Sequence, residues 1–233
     1  MQTIGLIGGM SWESSAEYYR LINQLAQKKL GGTNSAKSLM ISVNFSEIEK
    51  LQHQGYWNVL EQNMIDAARQ LQAGGADFIV LCTNTMHRFA EAIETAVDIP
   101  FLHIADATAQ QIKICDIKNV GLLGTRFTME QDFYKQRLID VYGLNVLIPN
   151  EQDRNDVHRI IYEELVKGII REESRIIYRD IIARLIDDGA EAIILGCTEI
   201  MLLVEQSDSA VPVFDTTTIH AHAAVEKALQ SND

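Results

Sequence analysis

The strongest constraint on this chain is that its apolar segments come in two sets, in the same order, about 115 residues apart. Thr3-Ile4-Gly5-Leu6-Ile7-Gly8-Gly9-Met10 is answered by Asn119-Val120-Gly121-Leu122-Leu123-Gly124-Thr125-Arg126. Tyr18-Tyr19-Arg20-Leu21-Ile22 is answered by Phe133-Tyr134-Lys135-Gln136-Arg137-Leu138-Ile139. The run from Gly75-Ala76 to Cys82-Thr83 has its partner from Gly189-Ala190 to Cys197-Thr198, and Ile99-Pro100-Phe101-Leu102 is matched by Val211-Pro212-Val213-Phe214. Matches in one order and at one spacing imply a duplicated half-chain rather than an array of short repeats.

Within each half, short runs rich in Ile, Val and Leu alternate with longer amphipathic stretches, the pattern of βαβ units. Strands are expected near 3–8, 39–44, 77–82, 101–104, 119–123, 144–148, 191–196 and 211–214. Helices are expected near 14–30, 57–73, 87–96, 106–115, 128–141, 153–169, 173–187 and 217–229. The near-continuous apolar character of Phe78–Leu81 and Ala192–Leu195 suits strands covered on both faces, as in parallel sheets. All three prolines, Pro100, Pro149 and Pro212, fall at strand edges, where a missing N–H does least harm. The fold class expected is therefore α/β, with two similar Rossmann-like lobes. If the last helix packs back on the first lobe, that lobe comprises 1–107 with 214–233, and the second comprises 108–213.

A chain of 233 residues suffices for two small cores. Its net charge of −12 disfavours nucleic acid and anionic membranes as partners, while leaving a small substrate open. The first ten residues are too short and Gly-rich for a secretory signal, and no apolar stretch approaches bilayer length. The three cysteines have no metal-like spacing, so a reduced, cytoplasmic setting without a structural metal is expected.

Open α/β sheets place their chemistry at the carboxyl ends of the strands. Cys197 lies there, ahead of an expected helix beginning Thr198-Glu199-Ile200, whose amides would favour a thiolate. At the mirrored end two alignments compete. Matching cysteine to cysteine pairs Cys82 with Cys197 and needs a gap; the ungapped alignment pairs Thr83 with Cys197 and Cys82 with Gly196. Neighbouring strand residues face opposite ways, so only one of Cys82 and Thr83 is expected to face a ligand, and the ungapped alignment favours Thr83. Asn84-Thr85 reads as a helix N-cap that can also seat a carboxylate. Gly8-Gly9 permits close backbone approach, but its spacing is not that of a dinucleotide-binding loop. Arg126 reads equally well as a substrate anchor or a solvated loop residue. His87, His103 and His220 read as hydrogen-bonded structural residues, Cys115 as inert, and the Glu163-Glu164 and Glu172-Glu173 pairs as a solvated helix face.

Ile4-Gly5-Leu6-Ile7-Gly8-Gly9-Met10-Ser11, Cys82-Thr83-Asn84-Thr85-Met86-His87, Gly196-Cys197-Thr198-Glu199 and Phe214-Asp215-Thr216-Thr217 together resemble the aspartate/glutamate racemases of the Asp/Glu/hydantoin racemase superfamily. Within it, the chain looks closest to the L-aspartate/glutamate-specific branch. The resemblance implies two lobes with parallel sheets related by a pseudo-twofold axis, an active site in the cleft between them, no cofactor, and a homodimer. Most members carry a cysteine immediately before the Asn-Thr of the first turn; here that residue is Thr83. The resemblance implies Thr83 and Cys197 as the catalytic pair and Met10, Gln52, Asn84, Thr85 and Thr198 as substrate contacts. Gln52 enters on resemblance alone, since the sequence itself reads there as a surface loop. A basic residue for the distal carboxylate is expected in many relatives, with Lys167 and Arg126 as candidates.

The expected reaction is removal of the α-proton of aspartate or glutamate on one face and reprotonation on the other, without pyridoxal. The enediolate-like charge would be stabilised by converging donors. Two alternatives stand beside it. One is another reaction of the superfamily, a decarboxylation, cis-trans isomerisation or hydantoin racemisation. The other is a non-catalytic two-lobe ligand sensor.

Overall fold

The computed structural model describes residues 1–230, so the last three positions of the expected 214–233 segment lie outside the described residues. The chain divides into two compact units: Met1–His103 with His220–Asp233, and Ile104–Ile219. In chain order the first unit contains β1 (Ile4–Gly8), α1 (Trp12–Leu30), β2 (Ser38–Ser42), α2 (Phe45–Gln54), α3 (Trp57–Ala73), β3 (Phe78–Leu81), α4 (Ala90–Ala96) and β4 (Phe101–Leu102). The second contains α5 (Ile104–Ile114), β5 (Asn119–Gly124), α6 (Arg126–Glu130), α7 (Asp132–Tyr142), β6 (Asn145–Leu147), α8 (Glu151–Glu163), α9 (Glu172–Asp187), β7 (Ala192–Gly196) and β8 (Val213–Asp215). The last helix, α10 (Thr216–Leu229), starts in the second unit and belongs to the first from His220 onward.

Each unit is an α/β layer structure around a four-stranded, all-parallel sheet, in the order β2-β1-β3-β4 in one and β6-β5-β7-β8 in the other. In both orders the chain reverses its direction of travel across the sheet between the first and third strands. In open α/β sheets such a reversal marks where ligands bind, here the carboxyl ends of β1 and β3, and of β5 and β7. The ladders also agree in register. Gly5 pairs with Ile79 and Ile79 with Phe101; Gly121 pairs with Ile193 and Ile193 with Val213. Counting forward from these pairs, Cys82 takes the place of Gly196 and Thr83 the place of Cys197, as in the ungapped alignment.

Alternation along the strands sends successive residues into different cores. Ile4, Leu6, Phe78, Val80 and Cys82 pack with Tyr18 and Ile22 of α1 and with Ala221, Ala224 and Val225 of α10. Ile7, Ile79 and Leu81 pack on the other face with Leu60, Met64 and Leu71 of α3. In the second unit Val120, Leu122, Ala192 and Ile194 pack with Ile112 of α5 and Tyr134 and Leu138 of α7. Burial of each Ile or Leu side chain stabilises by about 1.5–3 kcal/mol, which is why the apolar run, not local propensity, fixes these strands.

All eight expected strands are present, with ends shifted by a few residues. The helices depart in several places, among them the expected 153–169 helix, which ends at Glu163, and the start of the expected 87–96 helix, which is a 3-10 turn. α2 was not expected; Asn44 starts it by accepting from the Ser46 amide, and Gly55, in the left-handed region, ends it. The expected 128–141 helix is two, because Gln131 is extended and interrupts it. No α-helix begins at Thr198; a 3-10 turn over Ile200–Leu202 follows instead.

Two glycines at the strand ends are dictated by space. Gly9 has φ +89°, and a Cβ there would lie 2.2 Å from the Val43 carbonyl oxygen. At Gly196 a Cβ would lie 2.8 Å from the Leu123 carbonyl oxygen. The position that holds Cys82 in the first unit therefore has no room for a side chain in the second.

Candidate active site

In the first unit three segments bring the expected residues to the carboxyl end of the sheet. Behind β1, the amide of Gly9 donates to Ser15 Oγ at 2.7 Å, and that hydroxyl donates to the Ser11 carbonyl at 2.8 Å, tying the Gly-Gly-Met-Ser turn to α1. Met10 is buried in the core with Ile48 and Met86. Gln52 is not a surface loop residue: it lies on α2, is buried, and its Nε2 donates to Met86 Sδ at 3.4 Å. The signal missed was the Asn44 cap and the Ile48/Leu51/Gln52 spacing, which places three residues on one helix face.

Thr83 lies two residues past the end of β3 and is buried, with its amide donating to the Leu81 carbonyl at 2.9 Å in a tight turn. Asn84 and Thr85 are also buried, but neither caps an α-helix. Asn84 has helical backbone angles (φ −75°, ψ −45°), makes no side-chain cap bond, and leads into a 3-10 turn over Thr85–Phe89 before α4. An N-cap needs an extended backbone, so that expectation is corrected. Cys82 points the other way. It is fully enclosed by the α1/α10 core, and burial pushes its thiol far above the ordinary range.

In the second unit Cys197 and Thr198 are buried immediately after β7. Cys197 Sγ donates to Glu199 Oε2 at 3.0 Å, and Thr198 Oγ1 donates to the same oxygen at 3.0 Å. The carbonyl of Thr198 accepts from Thr217 Oγ1 at 3.3 Å, while Thr216 Oγ1 donates to the Leu195 carbonyl at 2.8 Å. The Phe214-Asp215-Thr216-Thr217 segment thus fixes the β7 turn, with Asp215 accepting from the amides of Thr217 and Thr218 at the start of α10.

The expected thiolate at Cys197 is corrected. Burial raises its pKa well above the ordinary range, the Glu199 charge and the bond to that carboxylate add to the rise, and the Thr198 and Glu199 amides oppose it without prevailing. An amide pair is present, as the sequence suggested, but burial, with a carboxylate beside the sulfur, outweighs it. At rest the site is a thiol hydrogen-bonded to a carboxylate. Chemically this is a proton carrier paired with a base. The i, i+2 spacing of Cys197 and Glu199 was the available signal for that pair.

Both candidates for an anion anchor are exposed. Arg126 is exposed, and its Nη2 donates to Asn155 Oδ1 at 2.5 Å. Lys167 is exposed in a 3-10 turn over Leu165–Lys167. Glu164, expected to be solvated, is buried and accepts from Ser174 Oγ at 2.7 Å. Among the described residues no group of three or more His, Cys, Asp or Glu side chains is placed to hold a metal ion, and no helix is long and apolar enough to cross a membrane.

A doubly wound parallel sheet in each half, with buried protic side chains just past its strand ends, defines the class. The family model described as Asp/Glu/Hydantoin racemase matches residues 7–224, and the chain belongs to that family. It is 56% identical to a Yersinia pestis protein of known structure described as a candidate Asp/Glu racemase, with a TM-score of 0.91 over 99% of this chain and 100% of that one. An aspartate racemase homologue from Pyrococcus horikoshii OT3 is 34% identical, with a TM-score of 0.84 over 99% and 100% of the two chains. The broad specificity amino-acid racemase RacX of Bacillus subtilis (strain 168) is 25% identical over 97% of this chain and 98% of its own length.

Proposed function

We propose that the chain is a cofactor-independent racemase of aspartate and glutamate, in which Cys197 and Thr83 serve opposite faces of the substrate Cα. The observation that carries this reading is the common register of the two ladders, which gives each unit one protic side chain at the same strand-end position: a hydroxyl in one, a thiol in the other. In the L-to-D direction Glu199 takes the Cys197 thiol proton, and the thiolate removes the substrate α-proton. The electron pair left on Cα delocalises into the α-carboxylate. Thr83 gives its hydroxyl proton to the opposite face and is reprotonated by water, and the hydroxide so formed is neutralised by the proton that Glu199 had taken, which closes the cycle. Asn84, Thr85 and Thr198 hold the carboxylate as its charge grows, and Met10 and Gln52 bound the side-chain pocket. The burial of Thr83 and Cys197 supports this role, because donors away from water act more strongly on developing charge.

A threonine hydroxyl is a far weaker base than a thiolate, so the reaction from the D-substrate is slow. Incorporation of solvent deuterium at Cα, followed by NMR, measures each direction separately. L-Aspartate or L-glutamate is expected to exchange at least about tenfold faster than its D-enantiomer. Equal rates would remove Thr83 from its assigned role, and no exchange with any of the four would remove the racemase reading. The broad specificity of the Bacillus subtilis relative supports adding neutral L-amino acids to the same screen.

The reading extends to a cytoplasmic homodimer. All three cysteines are free thiols, which suits a reducing compartment. Trp12, Tyr19 and Met40 form an exposed apolar face beside the edge strand β2, which suits a second copy. A monomer mass by light scattering sinks the dimer, and recovery in a membrane or secreted fraction sinks the location.

A further inference from the structure

Three imidazoles of the first unit meet behind the Thr83 turn. His87 lies 4.6 Å from His103 and 5.9 Å from His220, centroid to centroid, and 5.4 Å from the Phe101 ring. All three histidines are buried. His103 is the last residue before the chain leaves this unit and His220 the first after it returns. His220 is held in one tautomer: a carbonyl can only accept, so Nε2 donates to the Leu102 carbonyl at 2.9 Å, and Nδ1 accepts from Tyr18 Oη at 2.9 Å. By the same argument His87 Nδ1 carries a proton and donates to the Thr83 carbonyl at 2.7 Å.

We infer that His87 is a positioning residue for the Thr83 face of the reaction. Its ring is fixed by the two other imidazoles and Phe101, and its single N–H grips the carbonyl of the residue whose hydroxyl delivers the proton. Thr83 sits in a turn outside the sheet ladder, so its Oγ1 is only as well placed as its backbone. The bond to His87 supplies the restraint that the ladder does not. The inference rests on the role proposed for Thr83, but the restraint itself is measurable without turnover.

The experiment compares His87→Ala, His87→Asn and His87→Gln in the full-length protein. An asparagine amide N–H reaches about where Nδ1 stands, whereas a glutamine amide reaches toward Nε2. His87→Ala is expected to lower deuterium incorporation at saturating L-substrate by about 10–100-fold with KM changed less than about threefold, since a small misplacement of a reacting group costs this much. His87→Asn is expected to restore the rate to within about fivefold, and His87→Gln is not. Amide hydrogen exchange of the 82–89 peptide reads the restraint directly: it quickens in the alanine and glutamine variants and stays slow with asparagine. Should alanine fail to fold, the asparagine–glutamine contrast carries the same test. Wild-type kcat in His87→Ala, or asparagine no better than glutamine in both measurements, overturns the inference. Absence of exchange in the wild-type protein bears on the proposed reaction instead, and the amide-exchange contrast then still decides whether His87 holds the turn.

Discussion

A Cys197→Ala variant is expected to lose at least about 10³-fold in deuterium incorporation into L-aspartate and L-glutamate, with thermal unfolding little changed. The size follows from the chemistry assigned to the sulfur. An α-proton is weakly acidic, and with the thiol gone its neighbours Thr198 and Glu199, which share one hydrogen bond, offer no comparable nucleophile. The control is Cys82→Ala. Cys82 is fully enclosed among Tyr18, Ala221 and strand residues of the first unit, so its loss is expected to lower the unfolding temperature while leaving exchange within a few-fold of wild type. The reverse outcome, activity lost with Cys82 and retained without Cys197, would return the first unit's cysteine to the reaction and discard the pairing of Thr83 with Cys197.

Glu199→Gln is expected to separate two properties that usually move together. The Glu199 charge and the bond it accepts both hold the Cys197 thiol protonated, though less strongly than burial does. Removing that charge shifts the thiol back toward its ordinary range, so alkylation of Cys197 by iodoacetamide is expected to quicken several-fold at neutral pH. Exchange at Cα is nonetheless expected to fall by about 10²-fold or more, because no carboxylate remains to accept the thiol proton. The labelling is read in a Cys115→Ser background, since Cys115 is exposed and reacts first. Faster alkylation with undiminished exchange would show that the carboxylate restrains the sulfur without serving as its base. Slower alkylation would contradict the electrostatic account altogether.

Much of the fold was legible because two short-range signals agreed over long segments. Strands such as Phe78–Leu81 and Ala192–Gly196 are uninterrupted apolar runs, and the duplication let each half check the other. The ungapped match of Thr83 to Cys197 needed only the sequence, and the ladder pairs Gly5–Ile79 and Gly121–Ile193 show why it works. What was illegible depended on contacts distant in sequence or on short segments. α2 is only ten residues and carries Gln52 on a face set by its neighbour Met86, thirty-four positions away. Local dipoles alone favour a thiolate at Cys197, but its burial, together with a carboxylate two residues on, overrules them. His87 is the hydrogen-bonded residue expected, but its partner is a main-chain oxygen, which no side-chain pattern reveals.

The residues given roles at the two mirrored positions both stand just past the last ladder pair of their strands: Thr83 beyond Leu81, and Cys197 beyond Gly196. Exchanging one side chain there leaves the cross-strand partners of the sheet untouched. A duplicated ancestor of this kind can diverge at its two tips independently, becoming symmetric, lopsided or single-handed in its chemistry while each scaffold goes on folding as before.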